Sequence, residues 1–596
     1  MKSPRALRSC WRVLASAGST GAQGALSELA QVRRMRAKET RFLELFNGKV
    51  QYLVPRWQRP YRWGDTEIRR LVEDLLAIAA ANDEARPHYG GTMITVLERT
   101  GVLKVHRVVD GQQRLTTVSL LLARIAEVLG ADGKYGELTA AGIRLNLLTN
   151  PKRPEERRFK LRLQDGDDEE YRRIIDFDSL GSGGGALSRA WRVVKRNVTD
   201  GNVERLIEGL HRLRVISIGL EDRDDPQQIF ESLNGTGKPL TEGEKVKNWL
   251  LMGLSEEIQD ELHDEHWLEI ESSLDARHAP ERIDLFLRDV MRWRTGRTVA
   301  KEETYDGFRR WAIGEGRDNP KKRPELCREL ASLAALYGQI TDTAAKQPSP
   351  SVKRELDHLR ALGIHVHRPF SLRLLWDAQR LGPGEESLLP ALTAVSRWVT
   401  RAWLAGGSLA GLDKAFAQLA HTAMPADEGD HSQFWIGQIS GIDDERIAVP
   451  SDTAVREGIQ LTSKYGGLNT RATAAVLYAM VDREQRGEVP ARVSLTVEHI
   501  MPQTLNQSWL DDLSERGEEI HEQHVHRLGN LTLCGDRWNP ALSNHPFGKK
   551  RALYRKSSIL MTRRLADLAA WDESAIKERA TALTDKALEL WPWAGA

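Results

Sequence analysis

Three short polar clusters near the C-terminal end carry residue types suited to cutting a phosphodiester: Val497-Glu-His-Ile-Met-Pro-Gln503, Leu528-Gly-Asn-Leu-Thr-Leu533 and Trp538-Asn-Pro540. That reaction needs a base to activate water, a cation on the phosphate and leaving oxygen, and a group that holds the base in place. His499 is the candidate base, because neutral imidazole accepts a proton near neutral pH. Glu498 can give a hard oxygen to Mg²⁺ or Mn²⁺. Asn539 is a second oxygen donor, just ahead of Pro540 where a helix can begin. Asn530 can orient the histidine through a side-chain or backbone contact. Neighbouring strand residues point to opposite faces, so Glu498 and His499 share one site only where the strand breaks, and Pro502 supplies such a break. The layout reads as strand, loop, second strand, and a polar turn into a helix. Downstream, Lys549-Lys-Arg551 with Arg555 and Lys556 concentrates positive charge. Lys549, Lys550, Arg551 and Asn544 are therefore candidate DNA contacts.

A second set of chemistry-bearing residues lies toward the N-terminal end. Tyr52-Leu-Val-Pro-Arg-Trp-Gln-Arg-Pro-Tyr-Arg-Trp63 interleaves aromatics and arginines between two prolines that exclude a helix interior or a central strand. Two readings stay open. Arg56, Trp57, Gln58, Arg59, Tyr61 and Trp63 could stack bases and bind phosphates, or the loop could be a buried scaffold whose arginines pair with carboxylates. Strands at Tyr89–Val96 and Leu103–Val109, with a turn at Thr100-Gly101, run into Asp110-Gly-Gln-Gln-Arg114 and an apolar-faced helix, Leu115 to Leu129. Strand, turn and helix make a phosphate site. Gly111 permits the turn, the helix start offers free N–H groups, and Arg114 can fork onto phosphate oxygens. Asp110 could hold a metal or orient the turn, and Gln112 and Gln113 could bond a base, a sugar or water. A simple helix entry is the plainer alternative. Asn234-Gly-Thr-Gly237 is a tight turn that brings Lys238 within reach of a phosphate, and Thr241 with Glu244 has capping-box spacing.

These motifs resemble a known family. Glu498-His-Ile-Met-Pro-Gln503 is similar to the Asp-His-Ile-x-Pro-Gln signature of HNH (ββα-metal) nucleases, with Glu498 in place of Asp, and the nine-residue step from Asn530 to Asn539 is similar too. Gly529-Asn-Leu-Thr-Leu533 followed by Asn539, Ser543-Asn544, Phe547 and Lys550 resembles the C-terminal nuclease domain of GmrSD-type modification-dependent (type IV) restriction enzymes. Val54 to Trp63, Gly90-Gly91, Val109 to Thr117 and Phe230-Glu-Ser-Leu-Asn-Gly-Thr-Gly-Lys-Pro-Leu240 resemble their N-terminal domain. The resemblance implies a ParB/sulfiredoxin-like fold there, with Asp110, Gly111, Gln112, Gln113 and Arg114 serving nucleotide binding and hydrolysis, joined by Asn234 and Lys238. At the other end it implies Glu498 and Asn539 as metal ligands and His499 as base. The expectation is an NTP-hydrolysing (GTP or another NTP), modification-dependent DNA endonuclease of bacterial anti-phage defence. It would act on modified double-stranded DNA, either phosphorothioate or altered cytosine, with DNA-modification proteins and a second copy of the chain as further partners. Two rivals remain: a nucleotide-switched DNA-binding protein with an inactive HNH fold, and a metal-dependent RNase toxin.

The elements that must position these residues follow from composition and periodicity. A chain of 596 residues exceeds one core. Ordinary apolar content argues that most of it folds, and no stretch approaches the roughly 20 apolar residues of a membrane helix. A net charge of +2 confines nucleic-acid binding to local patches. Cys10, Cys327 and Cys534 are widely separated, which argues against a zinc knuckle or a disulfide framework. A reducing cytoplasm fits. The expected organisation is a poorly ordered tail over 1–34, with Met35 as an alternative start, then a nucleotide-binding and modification-sensing α+β domain over 35–254. A helical scaffold over 255–425 and an HNH nuclease domain over 426–596 complete it. The fold class is thus multidomain, mostly α, with two small α+β parts. Helices are predicted over Thr66–Ala80, Thr470–Gln485 and Ala575–Leu590. Pro151 to Arg162 is basic and either DNA-facing or a solvated face. His358, His365, His367 and His421 suit packing or surface roles. His521, His524 and His526 read as a polar insertion, with a second metal site as the alternative.

Overall fold

The computed structural model describes residues 36–81, 89–99, 102–176, 184–220, 240–276, 279–381, 384–407, 409–425, 430–485, 490–536 and 538–593. The N-terminal tail, the Thr100-Gly101 turn, and Asn234 and Lys238 lie outside these residues. The chain forms two compact units, residues 1–263 and 264–596. Helices predominate and the sheets are small, as the patterning requires.

The first unit is built on a six-stranded mixed sheet. Its strands are β1 (Arg36–Arg41), β2 (Val50–Leu53), β3 (Tyr89–Arg99), β4 (Lys104–Asp110), β7 (Leu161–Arg162) and β8 (Arg214–Leu220). They lie in the order β1-β8-β3-β4-β2-β7. A separate small hairpin joins β5 (Lys134–Tyr135) and β6 (Leu138–Thr139). β4 pairs antiparallel with β3 and parallel with β2, so it is central, and its C-terminal end opens directly into the helix Gln112–Leu129. That helix starts three residues earlier than the apolar periodicity indicates, because Gly111 at φ +93° makes the turn immediately after the strand. Leu115, Val118, Leu121, Leu122 and Ile125 bury its apolar face alongside Ile68, Leu71 and Leu75 of the helix Asp65–Ala80. Thr241 caps the helix Glu242–Leu251, with Glu244 completing the capping box.

The basic run Pro151 to Arg162 is partly engaged within this unit, while Lys152 and Arg157 are exposed. Arg158 pairs with Asp176, and Arg162 lies 2.9 Å from Asp168. The buried Lys160 donates to the carbonyls of Gly48 (2.7 Å) and Asn146.

Among its described residues the second unit is helical apart from one hairpin, β9 (Leu495–His499) and β10 (Leu531–Gly535), paired antiparallel with His499 opposite Leu531 and Glu498 opposite Thr532. Leu528–Asn530, expected as strand, is a single 3₁₀ turn, because Asn530 uses its side chain to satisfy the chain rather than extending the ladder. The connection between the strands is not a plain loop: it contains helices Gln507–Leu513 and Gly517–His524. After β10 the chain makes two helices, Asn539–Leu542 and Phe547–Tyr554, where one was expected. Ser543 at φ +38° and Pro546 interrupt it. The helix Leu389–Ala405 buries Arg401, whose guanidinium donates to Pro450 O (2.8 Å), Trp591 O (2.9 Å) and Asp452 Oδ1 (2.6 Å). Cys327 and Cys534 are buried free thiols. Among the described residues no helix is long and apolar enough to cross a membrane.

His358 and His367 are packing residues. His358 Nε2 lies 3.0 Å from Thr400 Oγ1 and its ring stacks on Trp591, while His367 Nδ1 lies 2.9 Å from Ser371 Oγ. Burial, with Arg492 adding repulsion, pushes His358 down to about 4, and burial beside Arg368 pushes His367 well below its ordinary value. In the unfolded chain both protonate near pH 6.5. The stabilisation from keeping them neutral is complete above that pH and is lost as pH falls toward 4. Urea midpoints of the full chain are therefore expected to fall between pH 7 and pH 4.5, and to fall less in a His358→Gln, His367→Gln variant. Equal pH slopes for the two proteins would refute this.

Candidate active site

Strand β9 delivers Glu498 and His499 to different neighbours. Glu498 is 4% exposed and His499 5% exposed, so both act from inside the protein's surface. Glu498 Oε1 accepts from Lys550 Nζ at 2.7 Å and from Tyr554 O–H at 3.4 Å, both on the helix Phe547–Tyr554. Lys550 Nζ also donates to His499 O at 2.8 Å. Burial pushes the Glu498 carboxyl up against the pull of Lys550, and pushes the Lys550 ammonium down against the pull of Glu498. Each opposes the effect of burial on the other.

His499 turns instead to Tyr465 and His526. Its Nε2 lies 3.2 Å from His526 Nδ1, and Tyr465 packs edge-on against its ring at 4.3 Å. Burial first, then His526, Lys550 and His521, lower His499 to about 3, so its imidazole is neutral at neutral pH. The strand does not break between Glu498 and His499. It ends after His499, and the two side chains follow the ordinary strand alternation.

Asn530 sits under this turn with no exposure. Its Oδ1 accepts from Met501 N (2.8 Å) and Trp571 Nε1 (3.0 Å), and its Nδ2 donates to Met501 O (2.9 Å) and Val525 O (3.0 Å). Its own carbonyl accepts from Ile500 N at 3.0 Å. Asn530 thus fixes residues 500 and 501 directly after His499, through the backbone. Asn539 opens its short helix, and its side chain lies outside the described residues.

Of the pair expected to hold Mg²⁺ or Mn²⁺, only the Glu498 side chain is among the described residues. The charge of Glu498 is already met by an ammonium at 2.7 Å. Among the described residues no three His, Cys, Asp or Glu side chains come together as a metal-holding group. His521, His524 and His526 are spread over different partners: Pro502 O at 2.9 Å, Glu573 at 3.7 Å and His499.

Lys550 was expected on the DNA-facing surface. It is fully buried in the Glu498 pair, because one basic residue of the run must face inward on a helix that also buries Phe547 and Tyr554. Lys549 and Asn544 are exposed, and Arg551 donates to Ala569 O at 3.3 Å.

In the first unit the Asp110 turn is a charged cluster. Arg114 Nη1 donates to Thr92 O at 3.2 Å. Gly91, at φ +95°, is glycine because a Cβ there would lie 2.7 Å from the Arg114 guanidinium. Burial raises the Asp110 carboxyl, opposed by Arg114 and Arg59, while Arg59 is lowered by burial and held up by Glu244 and Asp110. The two glutamines do other work. Gln112 Nε2 donates to Arg59 O (3.0 Å). Gln113 Nε2 donates to Pro60 O (3.1 Å), and its Oε1 accepts from Arg62 N (2.7 Å). They clamp the aromatic loop to the helix.

The loop itself follows the scaffold reading. Trp57, Gln58 and Tyr61 are 2–4% exposed. Gln58 Nε2 donates to Val109 O (2.5 Å), and Tyr61 O–H shares a hydrogen bond with Thr117 Oγ1 (2.8 Å). Arg56 pairs with Asp260 at 2.9 Å, and Trp63 packs partly buried against the core. As expected DNA contacts, Trp57, Gln58 and Tyr61 are corrected to packing residues. Proline at 55 and 60 shapes a loop that is closed over by the glutamines.

Sequence reading missed Tyr465. It lies in a Gly-rich turn before the helix Leu468–Gln485, 34 residues ahead of His499, and no local pattern ties it to the site. His526 was noted only as part of a polar insertion.

Breaking the Glu498–Lys550 pair from one side leaves a buried charge. Lys550→Met is expected to destabilise the second unit by about 3–5 kcal/mol. Glu498→Gln added to it should recover part of that loss in a denaturation double-mutant cycle. Strict additivity of the two single changes would show that the pair is not coupled.

Two family models match the chain: the GmrSD restriction endonuclease N-terminal domain over residues 42–251, and the C-terminal domain of the same enzymes over residues 450–586. No curated protein matches it.

Proposed function

Because this chain belongs to the GmrSD restriction endonuclease family, with both of its domains in order, we propose that it is a modification-dependent DNA endonuclease of anti-phage defence. Its cut is made at the β9–β10 hairpin. The observation that carries the assignment is His499, held at the end of a strand whose next two residues are locked by Asn530. The HNH reading rests on the strand–strand–helix layout and on the Glu498, His499, Asn530 and Asn539 set.

In the proposed reaction His499 takes a proton from water. The resulting hydroxide oxygen bonds to phosphorus while the bond to the leaving oxygen breaks, and solvent protonates that oxygen. Exposed Lys549, Arg555 and Lys556 are the chain's own cations for holding the DNA backbone nearby.

We assign the Asp110–Arg114 turn of the first unit to a nucleoside triphosphate, with GTP the first to try. Support comes from the left-handed Gly111 at the start of a long helix and from the arginines Arg59 and Arg114 beside it. Gly111 N–H and the arginines would meet phosphate oxygens, whereas Gln112 and Gln113 hold the loop.

The deciding assay is cleavage of plasmid DNA in unmodified, phosphorothioate and hydroxymethylated or glucosylated cytosine forms, with and without GTP. Wild type is expected to cut a modified form, and His499→Ala to lose at least about 100-fold of that rate. A variant that cuts as well as wild type sinks the base assignment.

GTP titration followed by calorimetry tests the other site. Arg114→Ala should weaken binding about tenfold or more. Unchanged affinity would move the nucleotide elsewhere.

A further inference from the structure

Three aromatic rings meet where β9 ends. His499 Nε2 and His526 Nδ1 are 3.2 Å apart, with ring planes at 77°. Tyr465 lies nearly parallel to His526, at 9° and 5.5 Å between centroids, and edge-on to His499, at 79° and 4.3 Å. One phenol ring therefore braces both imidazoles.

The main chain beneath them is fastened as well. Lys464 N donates to His526 O at 2.8 Å, and the buried Lys464 Nζ donates to Trp403 O at 2.8 Å. Thr473 Oγ1 closes the same turn on Lys464 O. The loop that carries Tyr465 is thus tied to the residue whose ring Tyr465 covers. An imidazole stacked on one face and bonded at one nitrogen is held in one orientation.

We propose that His526 is a positioning residue for His499, its Nδ1 accepting the Nε2 proton of His499 so that Nδ1 of His499 keeps the basic lone pair. This rests on the reading of His499 as general base. The proton account closes without any further reactant. Water's proton goes to His499 Nδ1, the Nε2 proton stays on His499 and remains hydrogen-bonded to His526, and the Nδ1 proton leaves to solvent after the cut. A base of this kind usually needs its second nitrogen held by a carbonyl or carboxylate. Here a second histidine, itself held by a tyrosine, does so.

Full-length His526→Leu, His526→Asn and His499→Ala are compared with wild type, by kcat and KM, on the plasmid form that wild type cuts fastest. Leucine keeps the apolar contact with Tyr465 but accepts no hydrogen bond. Asparagine places an amide oxygen near the Nδ1 position. His526→Leu is expected to lose about 10- to 100-fold in kcat with KM changed by no more than about twofold. His526→Asn should recover most of the loss, and both should melt as wild type does. If His526→Leu does not fold, His526→Phe takes its place, because its ring keeps the stack on Tyr465 and accepts no hydrogen bond from His499.

Wild-type kcat in the leucine or phenylalanine variant overturns the inference. So does an asparagine variant that is folded and equally slow. Either result leaves the base assignment standing. Cutting that survives His499→Ala overturns the base assignment itself, and this inference with it.

Discussion

The carboxamide of Asn530 meets four hydrogen-bonding demands at once: Met501 N, Met501 O, Val525 O and Trp571 Nε1. The chain leaves the ladder after His499, and Met501, fully buried, would otherwise keep an unpaired N–H and C=O away from water. Each such group costs about 1–3 kcal/mol. Only a side chain that both donates and accepts at one end closes that account, which singles out an amide over aspartate or leucine. The same contacts anchor the segment around Val525 beside Met501, and His526 is the next residue. The hairpin, the histidine at its end and the histidine facing it are therefore placed through one buried group.

Strand alternation then divides the labour. Glu498 and His499 are adjacent, so within an unbroken strand they serve different partners. Glu498 is committed to Lys550 and Tyr554, which pins the helix Phe547–Tyr554 against the hairpin. Lys550 reaches back to His499 O as well, so the ion pair also holds the main chain of the histidine. Removing two charges from water is costly, and a well-packed apolar pair would serve stability equally well. A buried carboxylate retained next to a candidate base is better explained by a need for charge at that position than by a need for stability.

What could be read from the sequence was what local chemistry dictates. Gly111 after a β-branched strand and Thr241 with Glu244 announce a turn and a cap, and the structure has both. The 3.6-residue pattern of Leu71, Val72 and Leu75 gave its helix to within a residue. The order of strand, strand and helix around His499 was visible because each piece ends in a turn former. Direction of burial was not visible. Lys549 and Lys550 look alike in sequence, yet only the neighbourhood of Glu498 decides that Lys550 goes inside. The aromatics of the 52–63 loop resemble a stacking surface until the glutamines that clamp it are placed. Tyr465 was beyond reach, because its link to His499 depends on the whole helix Leu468–Gln485 coming between them in sequence and bringing them together in space.

A common electrostatic arrangement marks both candidate sites. At the hairpin, Lys550 is balanced by Glu498. At the Asp110 turn, Arg59 and Arg114 are balanced by Asp110 and Glu244. In each the chain supplies the counter-charge that a bound phosphate would otherwise bring. Such a cation is not waiting in a vacant field. A phosphate that approaches it competes with a carboxylate already in place, and the carboxylate, once displaced, is a buried anion in search of a partner. A phosphate loaded at the Asp110 turn would therefore need a rearrangement of charge within the protein as well as the arrival of a ligand.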